Sequence, residues 1–199
     1  GDRTLWQNAP FHTVAPALRR VADVAFAGDG EPTAARTFGE SVAAVKAVRD
    51  RHGVDVPIRL LTNATLLHRE RVRAALAGVD EVWCKLDAGT AEYFRVVDGT
   101  TFPFERILAN LASLARERPI VIQSMFLTVD GAGPSEAELD AWTWRIGDLL
   151  AGGGAVSLVQ VYTVARKPSD ARVGPLDAAA LEGIAERVRV LGIPVEVHA

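Results

Sequence analysis

The chain has a single cysteine, Cys84, among its 199 residues. That count excludes an internal disulfide framework and any site that needs two or more thiolates from this chain, and it favours a reducing compartment. Long apolar runs are also missing, so no stretch is fit to span a bilayer as a helix. No secretory leader pattern opens the sequence. The expected location is therefore cytoplasmic. Charge of one sign is not in excess: 22 Lys and Arg stand against 25 Asp and Glu. No basic block stands out, so the sequence carries no strong nucleic-acid footprint.

What is present is the material of one soluble domain. Hydrophobic residues make up 49% of the chain and charged ones 24%, enough to build a sizeable core. Short β-branched runs alternate with amphipathic helical stretches. Strands are predicted at 23–27, 57–61, 81–86, 120–127, 157–163 and 194–197. Helices are predicted at 38–51, 68–77, 90–97, 104–117, 135–150 and 177–191. Ser135 followed by Glu138 has capping-box spacing, and Gly192 with Pro194 ends the last helix. One more helix is expected over His12 to Arg20, with Val14, Ala17, Leu18 and Val21 on one face. Repeated βαβ units imply a parallel sheet, in either a (β/α) barrel or a doubly wound arrangement. The whole of 1–199 reads as a single domain.

In parallel α/β folds ligands gather where strands end. The residues at those positions are Gly28, Asp29, Gly30 and Glu31, then Asn63, then Lys85 and Asp87, with Gln123 and Tyr162 on later strands. Two glycines in the first turn let a backbone approach a ligand closely, and the Glu31 carboxylate suits a cationic amine. The same turn also reads as plain geometry with Glu31 in solvent. Strand alternation puts Trp83, Lys85 and Asp87 on one face and Val82, Cys84 and Leu86 on the other, toward the helices. Asp87 can accept from a ribose diol and Lys85 can meet a carboxylate, or the two form an internal ion pair. Cys84 is expected to be a core residue. His12, His52, His68 and His198 lack metal-ligand spacing and are expected at the surface.

The segment Val24-Ala25-Phe26-Ala27-Gly28-Asp29-Gly30-Glu31-Pro32-Thr33 resembles the Gly-rich strand-two motif of radical S-adenosylmethionine (radical SAM) enzymes. Leu60-Leu61-Thr62-Asn63, Lys85-Leu86-Asp87-Ala88-Gly89, Ile120-Val121-Ile122-Gln123 and Val159-Gln160-Val161-Tyr162-Thr163 resemble its later strands, in order. The branch resembled holds iron–sulfur oxidoreductases related to the enzymes of tRNA wyosine synthesis. The resemblance implies a partial (β/α)6 TIM-like barrel with parallel strands, lacking its first strand. It implies S-adenosylmethionine at Gly28, Asp29, Gly30, Glu31, Asn63, Lys85, Asp87, Gln123 and Tyr162. It also implies a 4Fe-4S cluster, a reductant such as flavodoxin or ferredoxin, and a small-molecule or RNA substrate. The family's Cys-x3-Cys-x2-Cys loop has no counterpart in this chain. With Gly1 as first residue and no strand before the leading helix, the expectation is that an N-terminal segment holding the cluster is missing. The alternatives are a cluster-less, non-catalytic barrel domain that binds a nucleotide-like ligand or a protein partner, and an unrelated barrel enzyme with Lys85 as an imine-forming base.

Overall fold

The computed structural model describes residues 5 to 199. Among these residues eight strands are formed: β1 (Val24–Phe26), β2 (Ile58–Thr62), β3 (Glu81–Lys85), β4 (Ile120–Met125), β5 (Leu127–Val129), β6 (Val156–Tyr162), β7 (Val173–Pro175) and β8 (Val195–His198). Six helices accompany them: α1 (Phe38–His52), α2 (Glu70–Ala75), α3 (Ala91–Val97), α4 (Phe104–Glu117), α5 (Glu136–Ala151) and α6 (Ala178–Arg189). Six strands make one sheet in the order β1-β2-β3-β4-β6-β8, which is also their order in the chain. Every pairing within it is parallel.

The helices lie against one face only. Ile58, Leu60, Val82, Cys84, Ile120, Ile122, Val159 and Val161 share a single buried cluster with residues of all six helices. A doubly wound sheet would need helices on both faces; a segment of a (β/α) barrel needs them on one. The period of two along each strand does the sorting. Val82 and Cys84 are fully buried toward the helices, whereas Trp83 and Lys85 face the other way and stay half-exposed.

That second face is layered by the register. Leu61, Trp83, Val121 and Leu158 align across four strands as an apolar row. One step nearer the strand ends lies a polar row of Lys85, Gln123, Gln160 and Glu196. Met125, Tyr162 and His198 form the last row. The face thus turns from apolar to polar toward its C-terminal rim.

Two expectations fail. Residues His12 to Arg20 do not form a helix; they make short 3-10 turns at Phe11–Thr13 and Pro16–Leu18. Pro16 explains this. Its ring disfavours the helical region for the residue before it, and Ala15 is indeed extended at ψ 138. The supposed apolar face is largely exposed, with Leu18 at 66% and Val21 at 49% exposure. The strand expected over 120–127 stops at Met125. Phe126 turns inward, and β5 leaves to pair antiparallel with β7 in a separate ribbon.

The Ser135 cap forms, and two further helices are capped in the same way. Ser135 accepts from the Glu138 N–H at 3.2 Å, Asp177 from Ala180 at 2.7 Å and Thr90 from Tyr93 at 3.2 Å. Ser135→Ala is expected to cost about 1 kcal/mol, read from the urea midpoint. An unchanged midpoint would mean that the cap does not contribute. Among the described residues no helix is long and apolar enough to cross a membrane.

Candidate functional site

The strand ends build a cavity of about 320 Å³, lined by residues 27 to 32, 61 to 63, Lys85 and Gln123. The size falls in the range of small-molecule sites. Gly28, Asp29, Gly30, Glu31, Asn63, Lys85 and Gln123 are thus brought together. Asp87 is not in this wall; it lines an adjoining chamber that shares Asn63 and Lys85 with the cavity. Tyr162 lies in neither wall. It sits on the last row of the open face, and the charges of Asp87 and Asp98 act on it.

The glycine turn is bare toward the cavity. A Cβ added at Gly28 or Gly30 would meet no atom within 4 Å, so neither glycine serves packing within the chain. Gly28 has φ +152, which disfavours a side chain. Glu31, by contrast, is only partly exposed and is not free. One carboxylate oxygen accepts from the Thr33 N–H at 3.1 Å, the Thr33 hydroxyl at 2.5 Å and the Thr62 hydroxyl at 2.7 Å. The other accepts from the Asn63 N–H at 2.8 Å. Glu31 therefore pins the turn after β1 to the end of β2, and only its second oxygen keeps room for another donor.

Beyond β3 the chain is clamped from below. The Leu86 carbonyl accepts from the Ser124 hydroxyl at 2.6 Å and the Trp142 indole at 3.0 Å. The buried Glu138 carboxylate accepts from the N–H groups of Gly89 and Thr90 and from the Thr90 hydroxyl. Arg145 donates to the Gly89 carbonyl at 3.0 Å. So α5 holds the loop that carries Asp87. Sequence reasoning saw Glu138 only as a capping partner and missed this role; its position on the Leu139, Trp142, Ile146 stripe was the available signal.

Asp87 is almost fully buried, with a side chain 2% exposed. One oxygen accepts from the Met125 N–H at 2.7 Å, and the other lies 3.7 Å from the Lys85 ammonium. Burial pushes its carboxyl up, against the pull of Lys85 and the Met125 N–H. Asp98, at the end of α3, was not anticipated. Burial first, then the Asp87 charge, pushes it up to about 7. Burial and the same two carboxylates push Tyr162 up as well.

Asp98 makes stability depend on pH. Its folded value lies above the ordinary 3.8, so the fold favours the protonated form. The stabilisation is whole below the ordinary value and is lost as pH rises through about 7. Urea midpoints measured across that window should fall with pH, and Asp98→Asn should flatten the decline. An equal decline in the variant would assign the effect to other groups.

Cys84 is fully buried between sheet and helices, and burial, with Glu31 adding to it, pushes the thiol up to about 12. His12, His52, His68 and His198 are exposed. Among the described residues no group of three or more His, Cys, Asp or Glu could hold a metal ion. These residues do not fit an iron–sulfur cluster.

No family model matches the chain. Solved structures share its fold. A domain of pyruvate-formate lyase-activating enzyme from Bacteroides vulgatus aligns with TM-score 0.66 and 14% identity, covering 90% of this chain and 100% of that one. A radical SAM methyltransferase from Sphaerobacter thermophilus aligns with TM-score 0.65 and 15% identity, over 92% of this chain and 52% of the other. Streptococcus suis SuiB bound to S-adenosylmethionine aligns with TM-score 0.60 and 13% identity, over 85% of this chain and 38% of SuiB. The expected α/β architecture, a parallel partial barrel, is the one found. A curated protein, GTPase Obg from Brachyspira hyodysenteriae, is 28% identical over 95 residues, which is 47% of this chain and 13% of that protein. This chain has no Gly-x4-Gly-Lys-Ser/Thr loop with which to cradle a nucleotide phosphate.

Proposed function

We propose that this chain is the S-adenosylmethionine-binding part of a radical SAM oxidoreductase. The observation that carries the reading is the strand-end cavity. It lies on a fold shared with SuiB bound to S-adenosylmethionine, and it is lined by the bare Gly28–Gly30 backbone, Glu31, Asn63, Lys85 and Gln123. The chemistry suits a zwitterionic nucleoside. Backbone carbonyls of the turn and the remaining acceptor site of Glu31 take an ammonium; Lys85 takes a carboxylate; Asn63 and Gln123 offer amide groups to the sugar or base. Asp87 and Tyr162 act from the chamber and the last row. When bound to a cluster, the cofactor supplies radical chemistry. No step through a cluster follows from these residues, which cannot hold one. The substrate, small molecule or RNA, and the electron donor, a flavodoxin or ferredoxin, belong to the same proposal.

Calorimetry tests the cofactor site without any cluster. The chain should bind S-adenosylmethionine, and Lys85→Met should weaken binding by about tenfold to a hundredfold, the worth of a charge-assisted hydrogen bond. No binding, or equal binding by the variant, would overturn the reading. A second reading, a non-catalytic domain that binds a nucleotide-like ligand, is favoured by the burial of Cys84. It predicts binding of S-adenosylhomocysteine or adenosine as tight as that of S-adenosylmethionine.

A further inference from the structure

The chamber beside the main cavity measures about 100 Å³. Its floor is apolar: Leu86, Ile107 and the rings of Phe94 and Phe104, whose centroids lie 5.0 Å apart. Its polar wall holds two carboxylates, Asp87 and Asp98, against one ammonium, Lys85. Lys85 keeps a side chain 39% exposed and stands 3.7 Å from Asp87, beyond hydrogen-bond reach. The Oδ2 atom of Asp98 is buried and has no hydrogen-bond partner among the described residues. A buried acceptor without a donor is costly, and native structures rarely leave one unfilled.

We propose that this chamber is a subsite for a primary ammonium group on a short apolar stem, bound between Asp87 and Asp98. Three features select that chemistry. In the ionised form the orphaned Asp98 oxygen calls for a donor, which excludes anions. Once Asp98 is ionised, two carboxylates against one ammonium leave one negative charge unbalanced, which selects a cationic donor over a neutral hydroxyl. The space exceeds the roughly 30 Å³ share of one water, and its apolar lining of Leu86, Phe94, Phe104 and Ile107 suits a methylene stem. A divalent metal is a poor match, because no third acidic, His or Cys ligand is at hand among the described residues. The subsite stands whatever fills the larger cavity.

The test uses ethylammonium chloride as probe on the 199-residue chain, followed by amide NMR at mildly alkaline pH, where Asp98 is ionised. A saturable shift centred on Phe94, Asp98 and Thr100 is expected, with a dissociation constant of about millimolar. Asp98→Asn keeps the shape of the side chain and should weaken binding about tenfold. Lys85→Met should tighten it, since the probe then replaces the lost cation. That is opposite in sign to the effect expected on S-adenosylmethionine, so failure of one site is distinguishable from failure of the other. Absence of a saturable shift, equal shifts with potassium chloride or ethanol, or equal binding by Asp98→Asn would each overturn the proposal.

Discussion

Gly89→Ala is expected to cost about 3 kcal/mol, at the upper end of what overpacking does, and to loosen the loop that carries Asp87. The added Cβ would lie 2.1 Å from the Trp142 amide nitrogen, 2.5 Å from the Ala141 carbonyl carbon and 2.7 Å from the Trp142 Cα. All three are backbone atoms of α5, so no rotamer change relieves the clash. The loop has to move, and it moves against its own anchors. The Gly89 and Thr90 N–H groups and the Thr90 hydroxyl would draw back from Glu138, and the Gly89 carbonyl from Arg145. A buried carboxylate that loses its donors adds its own penalty. Urea unfolding measures the cost, with Gly30→Ala as the control. A Cβ at Gly30 meets nothing within 4 Å, and such surface changes stay within about 0.5 kcal/mol. Equal costs for the two variants would show that α5 does not grip the loop.

The contrast between those glycines marks where sequence reading stops. Both sit at strand ends and look alike in the sequence. Gly30 faces a cavity, whereas Gly89 faces the backbone of Ala141 and Trp142, in a helix far away in the chain. Local signals carried the regular elements well. Alternation along 81–86 sorted Trp83 and Lys85 from Val82 and Cys84, and the cap at Ser135 placed the start of α5 within a residue. The strand-end rule then gathered Gly28 to Glu31, Asn63, Lys85 and Gln123 without any contact being known, because parallel strands in chain order put all their C-terminal ends on one rim.

The rest depended on distant partners. Glu31 looked equally fit for a ligand or for solvent; its actual donors come from Thr62 and Asn63 as well as from its own turn. A carboxylate's partners across a sheet leave no local trace. Asp98 follows an unremarkable Val96-Val97 pair, and only the fold sets its buried oxygen beside Asp87. The β5–β7 ribbon rests on two three-residue strands brought together across α5 and β6, too short for periodicity to declare itself. The leading segment was the reverse case: the signal was local and readable. Pro16 stood inside the supposed helix, and weighing its ring against the apolar spacing would have removed that element.

The largest effect expected on activity concerns iron. Incubated anaerobically with iron and sulfide, the chain should stay colourless and make no 5′-deoxyadenosine from S-adenosylmethionine under reductant. A 4Fe-4S cluster that leaves one iron open needs three thiolates, and this chain has one cysteine. That one is out of reach. Cys84 is fully buried, and its thiol is pushed up to about 12, so it offers neither access nor thiolate. Under the proposed reading the thiolates come from another polypeptide segment. The sheet has room for one, since β1 pairs only with β2 among the described residues and its other edge is open. Joining a strand that carries a Cys-x3-Cys-x2-Cys loop ahead of β1 should give a brown protein that binds S-adenosylmethionine more tightly than the chain alone. Cys84→Ala should leave both the colour and the binding of that longer protein unchanged, because its place is in the core. If the chain alone makes 5′-deoxyadenosine, the thiolate count has been misjudged and the proposed division of labour is wrong. If the longer protein binds S-adenosylmethionine but never iron, the non-catalytic reading takes over, because the cavity would then serve a nucleoside with no cluster to act on it.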